Sequence, residues 1–113
     1  MKRDFKISKE LFEAVFGAKI MILSIVGRKG SKFIQYAYGY TGVHTLSVND
    51  FFFMCKEWSA VQEIIIISEF SFGNKCNGQS TVKINGTEAK YFESDSEQQA
   101  VFDACEWILK GNK

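Results

Sequence analysis

The sequence predicts one α+β domain, in the order α-β-β-α-β-β-β-α, with helices packed on an antiparallel or mixed sheet. Two features carry this reading. In the C-terminal stretch, Ala100, Val101, Ala104, Cys105, Ile108 and Leu109 fall at helical spacing and need a surface to cover. Ahead of that helix, two short β-prone segments flank Asn85-Gly86, whose residues accept the positive φ that a two-residue hairpin turn requires. Strands followed by a one-sided helix make an α+β sandwich. With 113 residues the chain buries a core of its own without disulfide or metal staples.

Taken in order, Ser8 caps a short helix reaching Phe16, with Ile7, Leu11, Phe12, Val15 and Phe16 as its apolar stripe. Gly17 ends it in the left-handed conformation, which costs glycine little. Residues 19–26 read as a buried strand, Gly27-Arg28-Lys29-Gly30-Ser31 as a turn, and 32–40 as the returning strand. Gly39, Thr41 and Gly42 loosen the chain before Ser47, a second capping residue with Asp50 three positions on. The helix opened there presents Phe51, Met54, Cys55, Trp58 and Val61 at helical spacing. Residues 63–72 form a strand whose Ile64-Ile65-Ile66-Ile67 run fits a central position, covered on both faces. A polar loop over 73–79 leads into the hairpin, with strands at 81–84 and 89–92. At the start of the last helix, Ser94 and Glu97 have the spacing of a capping box.

Composition narrows the function classes. Hydrophobic residues are 46% and charged residues 24% of the chain, which is a globular balance and excludes wholesale disorder. The 11 phenylalanines and the absence of proline point to a thick aromatic core. A formal charge of +1 provides no global attraction to nucleic acid or anionic lipid. Charges interrupt the first ten residues too often for a signal peptide, and the longest apolar run falls far short of a membrane span. The expectation is a cytoplasmic protein with reduced thiols at Cys55, Cys76 and Cys105.

Chemistry-bearing arrangements are absent from the sequence. The only histidine, His44, sits in a glycine-rich loop (Tyr40-Thr41-Gly42-Val43-His44) and reads as a solvated or capping residue, and no two cysteines have metal-ligand spacing. Cys76 would need His44 beside it to act as a nucleophile, and nothing in the sequence brings them together. Arg28-Lys29-Gly30-Ser31-Lys32 lacks the spacing and order of a phosphate-binding loop. Asn85-Gly86-Thr87 matches a glycosylation acceptor but reads as the hairpin turn. The expectation is therefore no catalysis, no metal and no cofactor. For binding, Tyr36, Tyr38 and Tyr40 alternate on one strand face and join Arg28, Lys29 and Lys32 as an aromatic and basic surface suited to a protein partner. The same tyrosines equally suit covering the first helix. An acidic face at Glu93, Asp95 and Glu97 is the alternative surface.

The second half, a helix, three strands and a helix, runs in the order of a double-stranded RNA-binding domain. In that family the last helix opens with lysines that grip phosphates. Here it opens on Glu93-Ser94-Asp95-Ser96-Glu97, which repels them, so direct nucleic-acid binding is disfavoured.

Three further segments, Ile7-Ser8-Lys9-Glu10-Leu11, Cys55-Lys56-Glu57-Trp58 and Ala104-Cys105-Glu106-Trp107-Ile108-Leu109, resemble segments of small accessory proteins from phages and prophages of Gram-negative bacteria. The likeness spans both ends and the middle of the chain. Each segment is a helix stripe with its caps, so no functional residue carries over. What the resemblance implies is only a setting, a phage accessory gene; the function expected there is a non-enzymatic, anti-CRISPR-like inhibitor that binds a host protein or ribonucleoprotein defence complex. The other expectation is a nucleic-acid-binding or regulatory phage accessory module.

Overall fold

Three serines set the starts of the three helices. The computed structural model describes residues 5–28, 31–37, 39, 42–71 and 77–111. Helix α1 (Lys9–Phe16) begins where the Ser8 hydroxyl accepts the Leu11 N–H, and it ends at Gly17, whose φ of 90° lets its N–H return to the Glu13 carbonyl. Helix α2 (Val48–Val61) begins where Ser47 accepts the Asp50 N–H. Helix α3 (Glu97–Leu109) begins at Ser96, which accepts the Gln99 N–H. The expected cap, Ser94, is instead the last residue of a strand, paired with Gly78, and the Glu97 carboxylate takes the Ser68 hydroxyl. The serine that follows the last paired residue becomes the cap.

The remaining chain forms two antiparallel three-stranded meanders. The first contains β1 (Ile22–Arg28), β2 (Ser31–Ala37) and β3 (Val43–Ser47), in that spatial order. The second contains β4 (Ile64–Ser71), β5 (Asn77–Ile84) and β6 (Thr87–Ser94), with β5 in the middle. The element order is thus α-β-β-β-α-β-β-β-α, one strand more than the sequence predicts. That strand, β3, follows glycine-rich punctuation, and its last residue, Ser47, also caps α2. His44 accordingly lies in a strand opposite Tyr36, not in a loop.

A second correction concerns the isoleucine run. β4 is an edge strand, not a central one. Ile66 is buried, whereas Ile65 and Ile67 are 49% and 50% exposed. Helices cover only one face of this sheet, so strand alternation sends every second isoleucine outward. In α2, Val61 is likewise exposed, and Ser59 occupies the buried position by donating its hydroxyl to the Lys56 carbonyl.

One apolar cluster joins both meanders to the helices. It includes Leu11 and Phe12 of α1, Ile34 and Tyr36 of β2, Phe51 and Cys55 of α2, Ile66 and Val82 of the second sheet, and Val101, Phe102, Cys105 and Ile108 of α3. A continuous series of ring contacts runs through it: His44 on Tyr36 (5.5 Å), Tyr36 on Phe12 (5.1 Å), Phe12 on Phe51 (5.0 Å), Phe51 on Phe102 (5.5 Å) and Phe102 on Phe5 (6.0 Å). Aromatic pairs at such separations add to area burial, and they account for much of the phenylalanine content.

Candidate functional site

The two sequence-derived binding surfaces fare differently. On the first meander, Tyr36 is 8% exposed and packs against Phe12 and Phe16 of α1, so it covers the first helix and is no surface anchor. Its ring is drawn inward because alternation along β2 puts Ile34 and Tyr36 on one side, and that side faces the helices. Arg28 ends β1 opposite Ser31, and Lys32 is half-buried opposite Gly27. Lys29, Tyr38 and Tyr40 lie outside the described residues, as does Cys76.

Of the acidic residues, Glu93 sits on the far side of the second meander, away from the helices. Its strands pair so that Ile67, Thr81 and Tyr91 form one outward row, and Glu69, Gln79 and Glu93 form the next. Glu93 accepts a hydrogen bond from the Tyr91 hydroxyl at 3.1 Å. The surroundings of that phenol (partial loss of water, the bond to Glu93, and the charges of Glu93 and Glu69) push its pKa above the ordinary tyrosine value. Asp95 lies just beyond β6 and is exposed. Glu97 is half-buried, and one of its oxygens takes the Ser68 hydroxyl at 2.6 Å, so it ties α3 to β4. The arrangement is thus an outward face with Glu69 and Glu93 around Tyr91, Asp95 at its margin, and exposed Ile65 and Ile67 along its border.

Sequence alone does not single out Glu69 or Tyr91. The signal for Tyr91 is hidden by a β-bulge. Ile84 pairs with Thr87 and Lys83 with Glu88, but Val82 pairs with Lys90, so β6 holds one extra residue. Counted without that residue, Tyr91 falls opposite Ser80 on the core side. The bulge reverses the faces, placing Tyr91 outward and Phe92 inward against Trp107.

A cleft of about 600 Å³ opens between the N-terminal segment, β1 and α3, with Phe5, Ile7, Ile25, Asp103 and Glu106 on its walls. Its carboxylates are engaged by the chain itself. Glu106 accepts the Ser8 N–H at 3.0 Å, and Asp103 accepts from the Gln99 amide at 2.9 Å. Gln99 also exchanges two hydrogen bonds with the backbone of Lys6. Burial, the largest effect, and the Glu106 charge raise the Asp103 carboxyl above its ordinary value, against lowering by the Gln99 bond and Lys6. These groups tie the N-terminal segment onto α3.

The thiols of α2 and α3 meet inside the core. Cys105 donates to the Cys55 carbonyl at 3.7 Å, and both residues are fully buried. Burial, then the neighbouring Cys105 and Glu106, pushes the Cys55 thiol far up, so it is protonated and unreactive in the fold. Among the described residues no three His, Cys, Asp or Glu side chains converge as a metal site, and no helix is long and apolar enough to cross a membrane. No family model, curated protein or solved structure matches the chain.

Proposed function

We propose that this protein is a non-enzymatic inhibitor that binds a host defence complex, using the acidic outer face of its second sheet to occupy a surface that otherwise holds nucleic acid. The observation that carries this reading is the placement of Glu93 and Asp95 beside Tyr91 and Glu69. Carboxylates held on a rigid sheet take the place of phosphates against a basic channel, and complementary potentials speed the encounter. Tyr91 supplies a large, stiff contact of the kind that concentrates binding energy. The phage setting comes from the resemblance of the three helix segments, and the burial of Tyr36 moves the proposed surface from the first hairpin to this face.

A second reading is a nucleic-acid-binding or regulatory module. Its support is that α2 and α3 both pack on the β4–β5–β6 meander, in the helix–three strands–helix order of double-stranded RNA-binding domains. The acidic start of α3 counts against it.

One capture experiment separates the two. The chain, and a Glu93→Lys, Asp95→Lys variant, are used to recover partners from host lysate with and without nuclease. Inhibition predicts a stoichiometric protein complex that survives nuclease, is competed by added duplex nucleic acid and is lost with the variant. Recovery that disappears on nuclease treatment supports the second reading.

A further inference from the structure

We infer that two copies of this chain pair along β4, joining their second sheets into one continuous six-stranded sheet about a two-fold axis. The inference rests on how differently the two edges of that sheet are finished. Edge strands expose unpaired backbone groups, and proteins guard them with charges, bulges or short length. β6 is guarded: it carries Glu88, Lys90 and Glu93, and its register is broken by the bulge. β4 has none of these protections. It is eight residues long, starts with four isoleucines, contains no lysine or proline and holds a single charge, Glu69. Its pairing with β5 is regular from Ile64 to Ser71, and among the described residues no other strand lies along its open edge.

The sequence of β4 also fits itself. Antiparallel pairing centred on Ile67 places Ile67 against the second copy's Ile67, and Ile64 against the second copy's Phe70. The same register places Ile65 opposite the second copy's Glu69, so the two Glu69 side chains stay apart. Lys83 is next to Ile65 on β5, on the same outward face, with Glu88 of β6 on its other side. It therefore stands two strand spacings, about 10 Å, from the second copy's Glu69, within reach of two long side chains lying across Ile65. The relation holds in both directions, as a two-fold contact requires. Half-exposed Ile65 and Ile67 from both copies then form one shielded apolar strip. The partner is a second copy because the charge pairing is built from Lys83 and Glu69 of the same chain. A foreign strand has no such constraint.

The test is sedimentation of the full chain from about 1 to about 200 µM, a range that captures weak and moderate self-association. The expected result is reversible conversion from 12.9 kDa to twice that mass and no further growth. Ile67→Lys should leave the melting temperature near that of the wild type, because the side chain points outward, and should hold the protein monomeric. Should that variant fail to fold, a cysteine test stands in its place. In a Cys76→Ser background, Ile67→Cys should form an inter-chain disulfide on exchange with glutathione disulfide, each new bond reducing one glutathione disulfide to two glutathione thiols. Thr81→Cys, about 14 Å from its counterpart in this arrangement, should not. A wild type that stays monomeric throughout would overturn the inference. So would a folded Ile67→Lys dimer, growth beyond two copies, or cross-linking at position 81 and not at 67.

Discussion

The β4–β5–β6 meander lies under two helices and is pinned to α3 at fixed points, whereas β1–β2–β3 meets α1 through the Tyr36 ring. On the second sheet, Gly78 passes so close to the start of α3 that a Cβ there would stand about 2 Å from the backbone of Ser96 and Glu97. The buried Ser80 hydroxyl donates to the Ala100 carbonyl at 2.7 Å, and the Ser68 hydroxyl to Glu97. At the first sheet the corresponding contacts are the Tyr36 ring on Phe12 and Phe16 of α1, and the Ile20 N–H just ahead of β1, which donates to the Glu13 carboxylate of α1 at 2.8 Å. Both sheets are antiparallel meanders that follow a helix; backbone approach and hydrogen bonds locate the second, and ring packing is prominent at the first. Directional contacts hold a position tightly, because a hydrogen bond weakens steeply when its geometry slips. Ring packing tolerates small slides, because burial is non-directional. The tightly held sheet is also the one that carries the acidic face.

The comparison breaks most sharply at Gly78. Gly78→Ala forces backbone apart where no side chain can yield, and should cost about 4 kcal/mol. Urea unfolding would measure it; a loss below about 1 kcal/mol would mean that α3 is not seated by this contact.

The next test removes one large ring from each half. Phe102 lies at the junction of α3 with Phe51 and Phe5, and Phe102→Ala should cost about 4 kcal/mol and loosen both sheets. Tyr36→Ala should cost about 2 kcal/mol, because Phe16 and His44 can close in from the side. Hydrogen exchange would separate them. Tyr36→Ala should raise exchange in β1–β3 while β5 stays protected. Equal loss of protection in both sheets would erase the contrast between them.

The smallest expected effect sharpens the role of the N-terminal segment. The Asp103 carboxyl has a folded pKa above its ordinary 3.8, so the native state holds that proton more tightly than the unfolded chain does. Its contribution to stability is most favourable below 3.8 and declines as pH rises through the folded value. Asp103→Asn keeps an oxygen for Gln99 and carries no charge. The stability of the wild type minus that of the Asp103→Asn variant, measured by unfolding from about pH 3 upward in half-unit steps, should therefore fall with pH and then level off. A difference that rises with pH would show that attraction to Lys6 outweighs burial.

The helix limits are largely legible in the sequence, because caps are local chemistry: Ser8, Gly17 and Ser47 act as their side chains or conformational freedom dictate. The Asn85-Gly86 turn is equally readable, with φ of 55° and 79°. Which strand becomes an edge, and which face looks outward, is not readable in this way. Four consecutive isoleucines carry no alternation, so their inward and outward positions are set by helices distant in sequence. The bulge in β6 is similarly invisible, and through it the outward position of Tyr91. The acidic residues of the proposed surface are visible as a charge run, but Glu69 joins them only through cross-strand pairing. For Tyr36 the sequence allows surface or cover, and packing by α1 decides for cover.

The dependence of both ends of the fold on α3 has a consequence for synthesis. The helix that offers the Ala100 carbonyl to Ser80, Gln99 to Lys6 and Glu106 to Ser8 is made after both sheets. At about 5–20 residues per second, a ribosome takes roughly 2–8 s to go from the end of β4 at Ser71 to the end of α3 at Leu109. Through that interval β4 exists without all of the cover on its inner face, and its isoleucines are open to any neighbouring nascent chain. The yield of folded protein in a cell is then governed by how quickly α3 arrives and by what shelters β4 until it does.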